Sequence, residues 1–105
     1  MTLRDIAHSR AGDKGVIVNV SVIAFDPQQY PTIERHVTAD RVREHLAGLA
    51  ERVVRYELPH LGALNFVVWR VSGDSVTRSL ALDAHGKSLS SALLTLSIQE
   101  KNVKA

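Results

Sequence analysis

The sequence predicts an α+β fold, a two-layer sandwich with a mainly antiparallel sheet of four to five strands and two helices on one face. Several short segments rich in β-branched residues alternate apolar and polar positions, which is typical of strands. Two other segments repeat apolar residues at helical spacing, and turns containing glycine or proline separate these elements. The chain has 105 residues, enough for one hydrophobic core, so we expect a single domain over residues 1–105.

One long β-branched segment, residues 16–25 (VIVNVSVIAF), predicts a central strand. Its valines alternate towards one side, and Asn19 and Ser21 towards the other. Because a buried amide needs a hydrogen-bond partner, we expect a ligand or a neighbouring loop at this polar side. A shorter strand is expected before it at 3–8, connected through a tight turn at 10–15 that contains two glycines.

The next elements are a helix and a group of strands. Thr38 is a suitable N-cap, and the helix after it is expected to reach about Glu51 although Gly48 lowers its propensity. Residues 26–37 are expected to form a loop or a short helical turn. Further strands and a last helix are predicted at 53–58, 64–71, 76–82 and 88–99.

This order of elements suggests a ferredoxin-like sandwich in which the last edge strand of the usual βαββαβ arrangement is missing. Both sides of the strand at 64–71 are apolar, with Phe66 and Trp69 on opposite faces. The predicted helices suffice for one face only. The remaining apolar surface therefore predicts a partner, and a homo-oligomer is the simplest form of it.

Composition excludes several classes of site and partner. The chain has no cysteine, which excludes disulfides and thiolate chemistry and favours a cytoplasmic location. No signal-like leader and no apolar run of membrane-spanning length occur, so no membrane partner is expected. Thirteen Lys and Arg are interleaved with eleven Asp and Glu, which offers no basic patch for nucleic acid.

The segment from His8 to Gly15 (HSRAGDKG) contains more charged and titratable residues than a tight turn requires. Backbone amides beside glycines can form an anion-binding nest, to which Arg10 and Lys14 add positive charge. A general acid–base pair of His8 and Asp13 is a further possibility. The alternative is a solvated hairpin turn, which charged residues often decorate.

A second group with anion-binding chemistry is Gly86-Lys87-Ser88, before the last predicted helix. It is not a phosphate-binding Walker A loop, because that motif needs a glycine where Ala81 stands. A helix start with Lys87 could hold an anion, although the spacing alone favours a simple cap and turn. His45 is expected to be solvated on the outer face of the first helix. No histidine pair has metal-ligand spacing, and no metal or cofactor is expected.

These segments resemble the AtuA-like domain, the small C-terminal domain of acyclic terpene utilisation family proteins, which also occurs as a short stand-alone protein. The resemblance is carried by HSRAGDKG with the asparagine that follows it, by ALNF at 63–66 and by LDAHGK at 82–87. It covers nearly the whole chain and implies a ferredoxin-like fold, but no reaction. The motif positions that it implies as ligand-binding are Arg10, Gly12, Asp13, Lys14, Gly15, Asn19, Asn65, Asp83, Gly86 and Lys87.

Two functions are weighed on this basis. The first is a non-catalytic small subunit, or an anion- or small-metabolite-binding domain, that assembles with itself or with a large AtuA-like protein. The alternative is a small enzyme acting on a carboxylate or CoA-thioester metabolite, with the turn containing Arg10, Asp13 and Lys14 acting together with Asp83 and Lys87. RNA binding would need exposed aromatic side chains on central strands and is the least favoured.

Overall fold

The computed structural model describes residues 1–14, 16–70 and 88–98. In chain order, its strands and helices are β1 (Ala7–Lys14), β2 (Ile17–Ala24), α1 (Tyr30–His36), α2 (Ala39–His45), β3 (Ala50–Leu58), β4 (Ala63–Arg70) and α3 (Ser88–Leu93). Short 3-10 turns lie at Leu3–Asp5, Pro27–Gln29 and Pro59–Leu61.

The four strands form one antiparallel sheet in the order β1-β2-β4-β3. The chain leaves β2, passes through α1 and α2, and returns as β3, with β4 between the two. This is the start of a ferredoxin-like order, so the α+β prediction is confirmed. The edge beside β2, where the usual arrangement has its last strand, is occupied by the N-terminal strand β1.

One face of the sheet forms the hydrophobic core with the helices. In β2 every second residue is buried, and the facing residues of β4 are fully buried. Ile33 of α1, Val42 of α2 and Leu93 of α3 are buried in the same cluster. The sheet contributes to this core Val18, Val20, Val22, Leu64, Phe66 and Val68.

Several predicted boundaries differ in the structure. β3 begins at Ala50 rather than at 53, and α3 ends at Leu93 rather than at 99. The segment 10–14 is not a turn but extended strand, because its backbone pairs with residues 17–21 of β2 over the whole length of the hairpin. Residues 3–5 form a 3-10 turn instead of the start of a strand. The helix capped by Thr38 ends at His45, and Gly48 has a positive φ of 91° in the turn that follows.

The last of these differences lies at 26–37, where α1 forms. The cap at Thr38 is confirmed, since its hydroxyl accepts a hydrogen bond from the Arg41 backbone N–H at 3.2 Å. In α3, Leu89 and Leu93 are buried as the helical pattern predicts. The strand predicted at 76–82 lies outside the described residues.

Side chains of α2 tie the C-terminal segment to the helical layer. The Arg41 guanidinium donates to the backbone carbonyls of His36 and Ser97, each at 2.9 Å. The His45 ring Nε2 lies 2.8 Å from the Ala92 carbonyl and 2.9 Å from the Thr95 hydroxyl. His45 is exposed, as expected, but it also contacts Ala92 in α3 and Thr95 just beyond that helix.

Arg55 of β3 closes the C-terminal end of α1. Its Nη1 donates to the backbone carbonyls of Glu34 and Val37, at 2.7 and 3.0 Å, and its Nη2 forms an ion pair with Glu57 at 2.7 Å. The last carbonyls of a helix have no hydrogen-bond partner within the helix and carry partial negative charge. The guanidinium donates hydrogen bonds to these carbonyls, and its positive charge offsets their negative charge.

We predict that Arg55→Ala lowers the free energy of unfolding by about 2 kcal/mol, because it leaves two half-buried carbonyls and a carboxylate without their shared donor. Arg43→Ala is the matched control: it removes the same charge from an exposed position of α2 and should change stability by less than about 0.5 kcal/mol. Urea unfolding of both variants measures the difference. Equal losses would show that the carbonyl contacts of Arg55 contribute nothing.

Tyr30 places a buried phenol beside the same cluster. Burial raises the pKa of Tyr30 above its ordinary 10.0; the carboxylates of Glu34 and Glu57 raise it further, while Arg55 opposes them. The phenol oxygen has no hydrogen-bond partner among the described residues. Because the folded-state pKa exceeds the unfolded one, the neutral phenol contributes stability that is complete below pH 10 and is lost as the pH rises through the folded-state pKa.

We therefore expect Tyr30→Phe to be as stable as the wild type at pH 7, or up to about 1 kcal/mol more stable, since no hydrogen bond is lost. Above pH 10 the variant should lose less stability than the wild type. Urea unfolding between pH 7 and 11 measures this, and Tyr56→Phe gives the contribution of the exposed tyrosine. Parallel pH profiles for the wild type and Tyr30→Phe would contradict the prediction.

Candidate functional site

The face of the sheet opposite the helices is the candidate site, and we call it the open face. Directly paired residues of antiparallel strands point to the same side, so the register defines its rows. From β1 to β3, three rows are His8–Ile23–Ala63–Leu58, Arg10–Ser21–Asn65–Tyr56 and Gly12–Asn19–Val67–Val54, and a fourth comprises Ile17, Trp69 and Arg52 of β2, β4 and β3. On this face the side chains of β2 and β4 are half-buried, with the exception of Ala63: they are Ile17, Asn19, Ser21 and Ile23 of β2 and Asn65, Val67 and Trp69 of β4.

The register brings together four of the residues that the sequence singled out. Arg10 and Asn65 stand in one row, and Gly12 and Asn19 in the next. Three strands supply them, although they are up to 55 positions apart in the chain. Lys14 lies at the end of β1, opposite Ile17.

The two asparagines have free hydrogen-bonding capacity. Neither the Asn19 nor the Asn65 side-chain amide bonds to another described residue, and both are half-buried in mid-strand. Between them, the Ser21 hydroxyl makes only a long contact, 3.5 Å, to the Arg10 carbonyl oxygen. An amide in a strand is a poor choice for folding alone, so these groups remain available to an external partner.

Gly12 leaves a bare patch of backbone beside these amides. A Cβ atom built at this position meets no atom within 4 Å, and the backbone does not have a positive φ. Neither crowding nor conformation within the chain therefore requires glycine here. A glycine inside a strand commonly marks a place where a ligand or another chain approaches closely.

Apolar and aromatic side chains surround the polar rows. Tyr56 and Leu58 are 53% and 39% exposed, and the Arg52 guanidinium lies 4.5 Å from the centre of the Trp69 ring. Sequence reasoning missed Arg52 and Tyr56 as members of this surface. The alternation of β3, in which Arg52, Val54 and Tyr56 share one side, carries the signal that could have found them.

One end of the open face has a shallow cavity of about 280 Å³. It lies where β2 begins, β3 begins and β4 ends, and its walls come from Val16, Glu51, Arg52, Trp69 and Arg70. Glu51 stands at the irregularity in the pairing of β3 with β4, between Ala50 and Arg52. No row of the open face contains an acidic residue, so the charge of its described side chains is positive.

The structure does not assemble an acid–base pair of His8 and Asp13. The two residues are five positions apart on one extended strand, so their backbones are roughly 16 Å apart, too far for a direct contact. The His8 ring stacks on Phe25, with the ring centres 5.5 Å apart. The prediction of this pair assumed a compact turn after Ser9, whereas β1 is extended through residues 10–14.

The remaining candidates lie outside the described residues: Gly15, Asp83, Gly86 and Lys87. The same holds for His85. Within the described ranges, no three His, Asp or Glu side chains are grouped so that they could hold a metal ion. No helix in these ranges has the length and apolar character needed to cross a membrane.

Comparison with known proteins identifies the family. The model of the AtuA ferredoxin-like domain matches residues 1–99, which is nearly the whole chain. Searches of curated proteins and of solved structures give no match. The match agrees with the order of the strands and helices. The chain thus belongs to the AtuA ferredoxin-like domain family.

Proposed function

We propose that this domain is a non-catalytic binding subunit that uses its open face both to hold an anionic group and to assemble with another protein surface. The observation that carries the proposal is the convergence of Arg10, Gly12, Asn19 and Asn65 on the face of the sheet opposite the described helices. A second copy of the chain and a large AtuA-like protein are the two assembly partners considered.

The chemistry of these groups supports an anionic occupant. The Arg10 side chain is exposed and forms no ion pair with a described residue. The neighbouring amides can donate hydrogen bonds, and Gly12 lets a ligand approach the backbone closely. A guanidinium with such donors binds a carboxylate or phosphate in a fixed orientation. The surrounding apolar residues would cover the carbon part of a metabolite or of a protein surface.

The alternative of an enzyme acting on a carboxylate or CoA thioester has less support. The groups that it needs are Arg10, Asp13 and Lys14 with Asp83 and Lys87, and of these side chains the structure describes Arg10, which lies on the open face. The described titratable group beside it, His8, stacks on Phe25. No cofactor is part of either proposal.

We predict that Arg10→Ala weakens anion binding at least tenfold, because a lost charge-assisted hydrogen bond of about 1.5–3 kcal/mol exceeds one decade. Thermal melts with inorganic phosphate and with acetate measure the effect as loss of the ligand-induced rise in Tm. Arg43→Ala, on the exposed side of the helical layer, is the control of equal charge and should keep the full rise. The anion role is refuted if both variants respond as the wild type does.

Gly12→Val tests whether the open face must stay accessible. A Cβ at this position meets no atom within 4 Å, and valine has a higher strand propensity than glycine, so the free energy of unfolding should be unchanged or up to about 1 kcal/mol higher. Binding should nevertheless be lost, because the side chain covers the patch beside Asn19. The same phosphate melts check this, and a stable variant with an undiminished response would contradict it.

A further inference from the structure

We propose that two segments distant in sequence, residues 1–4 and 94–98, form a clasp that holds α3 on the sheet, and that the clasp and α3 open as one unit while the pairing of β2 with β4 stays intact. The inference does not rest on the proposed function, because it uses no residue of the open face. It concerns the other side of the sheet, where α3 packs against β1 and β2.

The backbones of the two clasp segments pair as a short antiparallel ladder around a bridge between Thr2 and Ser97. Its three hydrogen bonds are 2.8–3.0 Å long and are donated from both segments: Leu3 to Leu96, Arg4 to Leu94 and Ile98 to Met1. The side chains of Leu3, Leu96 and Ile98 are buried in the same core as the sheet. The clasp is therefore a packed part of the fold and not a surface contact.

Two side chains of α2 hold the same C-terminal segment. Arg41 donates to the carbonyl of Ser97, the residue of the bridge. His45 contacts Ala92 and Thr95, which lie between α3 and the bridge. Residues 94–98 are thus fixed from two directions, by α2 and by the segment that leads into β1.

The clasp and α3 are coupled because residues 94–98 follow the helix directly. The helix has six residues, too few to remain helical without tertiary contacts. On the other side of the ladder, the Thr2 N–H donates to the Asp5 carboxylate at 2.9 Å, which fixes the turn before β1. Release of the ladder therefore frees α3 as well, whereas β1 remains paired with β2 along its own register.

The surface beneath α3 is poorly suited to hold the helix alone. The core side of β1 carries Ala7 and Ser9, small side chains that bury little apolar area. The Ser9 hydroxyl is buried and has no hydrogen-bond partner among the described residues, a cost that water removes when α3 opens. By contrast, β2 and β4 bury the larger pair Val20 and Phe66. Opening of α3 is therefore easier than separation of these two strands.

Native-state hydrogen exchange of the wild type tests whether the unit exists. We expect the amides of the clasp, such as those of Leu3 and Ile98, to exchange at the same rate as the amides of α3. That rate should be at least tenfold higher than the rate of the protected amides of β2 and β4, because regions open locally with different free energies. Clasp amides that exchange as slowly as the sheet would overturn the proposal, as would clasp amides that exchange much faster than α3.

A disulfide across the bridge tests whether the clasp controls α3. Thr2 and Ser97 are a pair whose hydrogen bonds are made by their neighbours, and such pairs have Cα atoms about 4.5 Å apart, within the range of a disulfide. Because the chain has no cysteine, the double variant Thr2→Cys/Ser97→Cys has a single intramolecular pairing.

Oxidation of this variant should slow the exchange of the α3 amides at least tenfold relative to its reduced form, towards the rate of β2 and β4. The reduced form of the same protein is the matched control. Unchanged exchange in α3 after oxidation would show that the clasp does not hold the helix. A folded variant that forms no intramolecular disulfide would contradict the bridge itself.

Arg41→Gln tests the part that α2 plays. Without the guanidinium bond to the Ser97 carbonyl, the clasp and α3 should exchange at least threefold faster, while β2 and β4 keep their rates. Arg43→Gln, exposed on the same helix, is the control and should leave all rates unchanged. Circular dichroism confirms that both variants are folded. An equal increase in the sheet and in the clasp after Arg41→Gln would contradict a separate opening unit.

Discussion

The pairing of β2 with β4 is the constraint on which the rest of the structure depends. Both strands are central and antiparallel, and their register sets every side chain to one face or the other. A slip by one residue would bring Asn19 and Asn65 into the core and expose Val20 and Phe66, exchanging two amides for two fully buried side chains. The burial of one face fixes this register, and the polar rows on the other face follow from it.

The helical layer shows a second consequence of the same sheet. Its helices in the described part of the chain have seven residues or fewer, too few to be stable without tertiary contacts. They are held by apolar burial and by side chains that reach carbonyls at helix ends, as Arg55 and Arg41 do. Arg55 projects from the core side of β3, so the strand register that builds the open face also positions the group that closes α1.

Sequence patterns predicted the strands better than the segments between them. The period of two in β2 and β4 is strong because one side is apolar throughout, and the strand prediction at 64–71 differs from Ala63–Arg70 by one residue at each end. The turn predicted at 10–15 failed because glycine and charged residues favour turns locally, whereas pairing with β2 over eight residues favours extension. The helix predicted to reach Glu51 ends at His45, and Gly48 has a positive φ in the turn that follows, a conformation that helix propensity alone does not reveal.

The sequence could predict which residues belong to the candidate site, but not where in the fold they lie. Resemblance supplied Arg10, Gly12, Asn19 and Asn65, and only the register could show that three strands bring them to one face. The neighbours that complete the face, such as Tyr56, have no motif of their own. They become visible once β3 is aligned with β4, because a long-range pairing carries no local sequence signal.

The residues on the open face are unfavourable for an isolated sheet. Glycine and asparagine are depleted in strands, since glycine loses more backbone entropy on folding and asparagine competes for backbone hydrogen bonds. On their core side, β2 and β4 bury Val18, Val20, Val22, Leu64, Phe66 and Val68, and this apolar burial offsets the cost. Residues of this kind on the side of the strands away from the core are the physical reason for placing the proposed function on that face.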